Sequence, residues 1–521
     1  MLKILVYKEI KNTVFTFQFQ FITILSIVIC IAYIFIGLSD YETRLQNYDI
    51  MNLKNNEEIS NLNVYSELQP QISLRPKVLS IISNGSINEL GSNVRISPFE
   101  VPTKLNNEIT YNPFINSVFQ FDFNKVVAIL LSLLAILISF NLISEEHEKG
   151  TLKLMMSNYV PKWKIIIAKV ISSQIVITIT LSFIFIIIFL GFLFSSSVSI
   201  SLEHIIRILL IFILYQFYLS CFILIGTFFS IVTRKSSISL ILGLFVWLLF
   251  TIIIPYGVMF ITLSDSKFML IDEVNKQIAE VEKNTTIELN TWKQNHSVPG
   301  PAYTFGYVQF NERENHFITR GIRPEYIQWC ADYFAYRNRI VIDQAEKIYN
   351  LKKIRLDHEE NQIRYMHSFA NLSITNQLCK AVENLCNTSW DDYKTFMDDA
   401  REYRLSIISY IRSDNGFSSR EWFTDDPVGF EPWVKDPNNF RPEKLANDAK
   451  IGYKVYLAIN VHKNLAERKL KLDDVPLFLE TSVSVGLSLK ESLVEFATLL
   501  ILSGIFLFLI LVFFNKYYIV S

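Results

Sequence analysis

Charge is scarce in this chain: Asp, Glu, Lys and Arg make up 19% of its 521 residues, against about a quarter in a soluble domain. With 49 basic and 50 acidic residues the formal net charge is -1, so the basic stripe that holds a nucleic acid is missing and no such partner is expected. None of the 16 glycines is followed by lysine, which excludes the Gly-x4-Gly-Lys-Ser/Thr loop that cradles nucleotide phosphates. A Gly-x-Ser-x-Gly elbow is also absent, and His358 and His367 lack the four-residue spacing that sets two histidines around zinc on one helix face. No catalytic residue, resident metal or cofactor is therefore expected in this chain. Cysteine is sparse too, at five. Cys30 and Cys221 fall in apolar runs, and among Cys330, Cys379 and Cys386 at most one bridge can form. On one continuous helix Cys379 and Cys386 would stand about 10 Å apart, too far to join, which leaves Cys330 with either open.

What the chain has in abundance is apolar length. Half its residues are hydrophobic and 41 are Phe. Six stretches are long enough to cross about 30 Å of hydrocarbon: Phe19 to Leu38, Val126 to Ile143, Ile165 to Phe194, Ile205 to Val232, Ile238 to Leu263 and Leu493 to Phe514. The first follows three lysines but is too long for a signal peptide core and lacks an Ala-x-Ala site, so it reads as a retained anchor. Lysine and arginine gather in residues 1–18, in the 144–164 connector, in the 233–237 turn and in the 515–521 tail, whereas Ser195 to His204 has neither. The positive-inside rule then sets both termini and the connector in the cytosol. Ahead of the first span, Leu2, Leu5, Val6, Ile10 and Val14 alternate with Lys3, Lys8, Glu9 and Lys11, the pattern of an amphipathic helix along the inner leaflet.

Two segments remain outside the membrane. Residues 39–125 start with a charged helical stretch, Asp40 to Ile59, and continue as proline-punctuated, strand-prone sequence. Residues 265–490 are large enough for a core of their own and show helical spacing over Glu325 to Phe369 and Ile374 to Arg412, with Ser389-Trp-Asp-Asp as a helix start. Their 33 acidic and 30 basic residues, counted from the sequence, leave no strong field. The expected fold is an α-helical membrane protein. Six transmembrane helices follow an N-terminal interfacial helix, with a large, mainly helical extracytoplasmic domain between helices 5 and 6 and a smaller mixed α/β segment between helices 1 and 2.

The 144–164 connector is the most informative segment. Its pattern lets the second span run on as helix through Glu145 and Glu148 and stop at Gly150, a residue suited to left-handed geometry. Thr151 can cap a short helix that presents Leu152, Met155 and Met156 outward, and Pro161 suits the first turn of the next span. Such a short, partly apolar helix on the inner membrane face is a docking knob for a soluble partner. Inside the membrane, Gln174, Gln216, Arg207 and Glu495 are candidates for a translocation path. The plainer alternatives are helix-to-helix hydrogen bonds for the glutamines and snorkelling to the interface for the two charges.

Glu145-x-x-Glu148-x-Gly150-Thr151-Leu152-x-Leu154, followed by Val160-Pro161, resembles the coupling segment of type-2 ABC exporter permeases, especially the copper-enzyme-maturation (Nos-type) group. Lys8-Glu9-Ile10, the Arg75 to Gly85 stretch, Ser488-Leu-Lys-Glu-Ser-Leu and Phe514-Asn-Lys-Tyr are similar to that group as well, although Tyr159 stands where proline is more usual. The resemblance implies a permease in the bacterial inner membrane that uses ATP and Mg held by a separate ATPase, present in two copies. It further implies a second permease chain, alike or related, and contacts to the ATPase through Glu145, Glu148, Gly150, Thr151, Leu152, Leu154, Met155, Met156 and Pro161. A relay of ATPase motion to a periplasmic partner, without transport, is the alternative.

Overall fold

A computed structural model describes residues 2–85, 91–105, 122–152, 161–255, 257, 267–299, 307–311, 316–320, 324–425, 469–472 and 474–517. It is mostly helical, and among the described residues six helices are long and apolar enough to cross a membrane. Helix α1 (Leu2–Val14) turns at Phe15 and Thr16 into α2 (Phe17–Ser60). The first half of α2 is apolar and its second half charged, so one 44-residue rod of about 66 Å leaves the bilayer unbroken. The next span is α3 (Phe123–Ser139), which Asp122 caps by accepting from the Lys125 backbone N–H at 2.8 Å. After a turn the short α4 (Ser144–Glu148) follows. The remaining spans are α5 (Lys162–Phe194), α6 (Leu202–Val232), α7 (Ser236–Leu248, prolonged by a π turn over Leu249–Ile253) and, far along the chain, α12 (Val485–Tyr517).

Helix α6 forms the centre of the bundle, with Tyr215, Tyr218, Leu219 and Phe222 fully buried against α3 and α12. A Cβ on Gly226 would stand 2.0 Å from Ser139 Oγ, so only glycine lets α3 and α6 approach as they do.

On the face opposite the termini, α8 (Lys267–Asn295) and α9 (Pro324–Ala370) pair lengthwise, with an antiparallel ladder of β3 (Tyr307–Asn311) and β4 (His316–Arg320) between them in sequence. The stretch from Ile374 to Arg412 is two helices, α10 (Ile374–Cys386) and α11 (Trp390–Ser413), because Asn387 turns left-handed at φ 56. Ser389 then opens α11 with the reciprocal Ser389–Asp392 capping box.

The two segments outside the bundle share one core. Tyr65, Ile72, Val94 and Phe99, the middle pair from the β1 (Gln71–Ser73) and β2 (Asn93–Arg95) ladder, pack with Phe334, Phe396, Ile407 and Trp422. The Arg404 side chain, 1% exposed, stitches the halves by donating to the carbonyls of Ser97 at 3.1 Å and Pro98 at 2.7 Å while pairing with Glu346 at 2.5 Å. Cys330 belongs to this core and Cys386 to the bundle, and all five cysteines are free thiols.

Helix α10 belongs to the bundle although its neighbours in sequence do not. Ile374, Leu378, Val382 and Leu385 join the core of the spans. Thr375 meets the Tyr218 hydroxyl at 3.1 Å, halfway along α6, and Leu385 lies against Arg207 near the start of α6. α10 is thus a half-span that re-enters the bundle antiparallel to α6.

On the way to α10, Glu360 of α9 accepts from Lys394 of α11 at 2.9 and 3.0 Å and from Arg364 at 2.7 Å. These cations, Lys394 above all, hold its carboxyl below the usual range. A depressed folded pKa supplies stability at neutral pH that fades as pH falls through the folded value. Lys394→Met is accordingly expected to lower the unfolding midpoint slightly at pH 7, by under about 1 kcal/mol. The difference from wild type should shrink below about pH 4, as followed by thermal unfolding across pH.

Candidate functional site

The connector is bonded to nearly every element around it. Where the chain bends after α3, Ser230 Oγ of α6 accepts the backbone N–H groups of Ile143 at 2.8 Å and Ser144 at 3.0 Å. Glu148 accepts from the Ser236 backbone N–H at 2.8 Å and from its hydroxyl at 3.2 Å. That sets a carboxylate at the N-terminus of α7, where unsatisfied amides and the helix dipole favour negative charge. Glu145 stays local, accepting from Asn141 at 2.7 Å and Lys149 at 2.5 Å.

Glu146 reaches the other way. It accepts from Thr151 Oγ1 at 2.7 Å and from Lys169 Nζ of α5 at 3.2 Å. Lys169 also lies 3.2 Å from Glu9 of α1, and this three-membered link is buried, with side chains 4%, 12% and 20% exposed for Lys169, Glu9 and Glu146. Burying a lysine this deeply is costly without such partners. The link ties α1, the connector and α5 at one point.

Gly150 has φ +71, the left-handed geometry its position calls for, and a Cβ there would meet nothing within 4 Å. The cost of Gly150→Ala is then backbone strain alone, about 1–2 kcal/mol, expected as a lowered unfolding midpoint. Thr151 is already helical instead of preceding the helix as its cap, and its hydroxyl donates to Glu146. Leu152 departs from expectation. At 3% exposed it packs among Ile143, Ile166, Leu224, Ile231, Ile510 and Phe514, turned into the bundle because apolar side chains close that end. Leu154, Met155 and Met156 lie outside the described residues. Pro161 immediately precedes α5 with φ -54, one position ahead of the first helical residue.

Helix α1 differs from expectation too. Ile10 and Val14 of its apolar face pack against α5 and the bundle core, which leaves Lys3, Ile4, Tyr7, Lys8 and Lys11 exposed.

The four intramembrane candidates do not converge. Gln174 donates to Gln216 Oε1 at 2.8 Å, Thr178 donates to the same oxygen at 3.0 Å, and Ser220 donates to Gln174 at 3.0 Å, a clamp between α5 and α6. Arg207 does not snorkel. It is 2% exposed and donates to the Leu385 carbonyl at 2.9 Å, Asn387 at 2.8 Å, Ser488 at 2.9 Å and the Val483 carbonyl at 2.7 Å, with Glu203 at 2.9 Å. Glu495 is equally buried and pairs with Lys380 of α10 at 2.7 Å. In both cases the re-entrant α10 supplies the partner that water would give at an interface. Arg207 closes the end of α10, and Glu495 pins its middle to α12.

Sequence reasoning missed Glu9, Glu146, Lys169, Lys380, Ser230 and Ser236 as site residues. Two of these left a signal: Lys169 is the only charge between Ile165 and Phe194, and Glu9 the only acid before Asp40. An isolated charge within a span is a functional flag in itself.

These features define a multi-pass helical membrane protein with one buried ion-paired cluster tied to its connector. Residues 4–287 match the ABC-2 family transporter protein, over half of the chain, and the protein belongs to that family. It is the permease component of an ABC transporter, a multi-pass membrane protein that works with an ABC ATPase subunit and is not the ATPase itself. No curated protein matches the chain.

Proposed function

We propose that the protein is the permease of an ABC exporter of the copper-enzyme-maturation (Nos-type) group, in the bacterial inner membrane with both termini in the cytosol. Two ATPase copies carrying ATP and Mg would dock on this chain and a second permease chain through residues 144–161, and the large domain would stand outside the cytoplasm. The observation that carries this reading is the Glu9–Lys169–Glu146 link together with the Glu148–Ser236 cap. Any displacement of the connector must move α1, α5 and α7 or break the polar contacts that hold it to them, those to α1 and α5 being buried, which is what a two-state stroke needs. Only 17% of the most apolar stretch of α2, and the same share of α7, is buried, which leaves both with faces for a second chain or lipid.

The test is gentle solubilisation of the full chain. An ATP-binding subunit is expected to co-purify, and Met155→Asp with Met156→Asp is expected to release it without shifting the unfolding midpoint. Retention of the ATPase by that variant would contradict docking at the connector.

One feature favours the alternative, a relay of ATPase motion to a partner outside the cytoplasm. α10 sits in the bundle core while α11, three residues on, sits in the core of the large domain, so bundle motion passes directly outward. ATPase stimulation in proteoliposomes by a small-molecule substrate supports export, whereas stimulation only by an added protein supports the relay.

A further inference from the structure

Between α1 and the end of α3 lies a cavity of about 850 Å³, within the size range of ligand sites. Its floor is apolar, formed by Phe19 and Ile22 from the first turns of α2 and by Leu134, Leu137 and Ile138 of α3. Its rim is charged, with four lysines (8, 11, 149 and 169) against three glutamates (9, 145 and 146). All three glutamates are engaged, Glu145 by Lys149 and the other two by Lys169. Lys8 and Lys11 are exposed and make no ion pair within 4 Å among the described residues, Lys8 feeling Glu146 only at longer range.

The position of the rim narrows the occupant. Phe17 begins the first span, and Lys8 and Lys11 stand nine and six residues before it, across the turn at Phe15 and Thr16 and on a helix packed along α5, which sets them near the lipid headgroups. Ile10 and Val14 of α1 are used on the bundle, and the exposed face of the helix carries Lys3, Lys8 and Lys11 with Ile4 at 74% and Tyr7 at 71% exposure beside them. A basic mouth at headgroup depth above an apolar shaft fits an amphiphile that carries a phosphate.

We propose that this crevice binds one anionic phospholipid of the adjoining leaflet, with its phosphate at Lys8 and Lys11 and an acyl chain against Phe19, Ile22 and Leu137. The lipid wedges between α1 and α3 and holds Glu9 against Lys169, so leaflet composition sets the position of α1 and, through Lys169, of the connector. This site stands whether the transporter exports a substrate or relays motion.

The test is native mass spectrometry of the full-length chain titrated with phosphatidylglycerol, phosphatidylcholine or inorganic phosphate. One phosphatidylglycerol is expected to bind at least about tenfold more tightly than phosphatidylcholine. Lys8→Gln with Lys11→Gln should weaken it roughly thirtyfold, at about fivefold per lysine, and should weaken phosphatidylcholine, whose choline offsets its phosphate, far less. Ile22→Trp, which fills the shaft, should lower phosphatidylglycerol occupancy while the lysines remain. Equal binding of the two lipids, or undiminished phosphatidylglycerol binding by the double glutamine variant, overturns the proposal. Displacement by millimolar inorganic phosphate also overturns it, by making this a free-phosphate site. So does loss of an acidic protein partner, and not of the lipid, in the double variant.

Discussion

Lys169→Met is expected to destabilise the protein by about 3–5 kcal/mol, since it leaves the Glu9 and Glu146 carboxylates facing each other in a buried site without their cation. Stability and coupling can be separated. Combining Lys169→Met with Glu9→Gln and Glu146→Gln removes the stranded charges, and neutral replacements of a buried ionic cluster often restore stability. The triple variant should therefore recover most of the unfolding midpoint, but with α1 no longer ionically tied to the connector its ATPase should run without response to substrate. If the triple variant recovers both stability and a substrate-responsive ATPase, the link is a packing feature with no part in coupling.

Arg207→Leu should be about as costly, roughly 3–5 kcal/mol, for a different reason. The carbonyls of Leu385 and Val483 and the side chains of Asn387 and Ser488 lose their shared donor, and each buried group left unmet costs about 1–3 kcal/mol. Glu203 matters less, because its side chain is 49% exposed and water can replace the arginine there. The specific readout is α10. Cys386 is 2% exposed in wild type, and release of the helix should open this thiol to maleimide. Arg207→Lys keeps the charge but not the planar fork, so labelling should be intermediate. A protected Cys386 in the leucine variant would mean that apolar packing alone holds α10 in the bundle.

How much of this was legible in the sequence depended on distance along the chain. The spans could be read because hydropathy is a local sum. The left-handed turn at Gly150 and the Ser389 cap could be read because capping is local chemistry. Arg207 read as an interface residue because its partners lie 178 to 281 positions away on a half-span that no local pattern marks as membrane-embedded. α10 has an amphipathic sequence with Lys380 and Glu383, and only the buried Glu495 on α12 makes its place in the bundle intelligible. The shared core of the two outer segments was hidden for the same reason, since Arg404 finds Ser97 and Pro98 about 300 residues upstream. Leu152 and α1 misled differently. Periodicity shows that a residue lies on an apolar face but not which surface that face meets, and protein took the place expected for partner or lipid.

Docking of an ATPase on the connector is tested most directly by site-specific photo-cross-linking. A photoreactive residue at Met155 of the full chain, in its native membrane, is expected to capture an ATP-binding subunit, while the same probe at Leu372, which is 71% exposed beside the re-entrant α10, captures none. Capture of an ATP-binding subunit at Leu372 and not at Met155, or at neither site in membranes where the transporter is active, would contradict it.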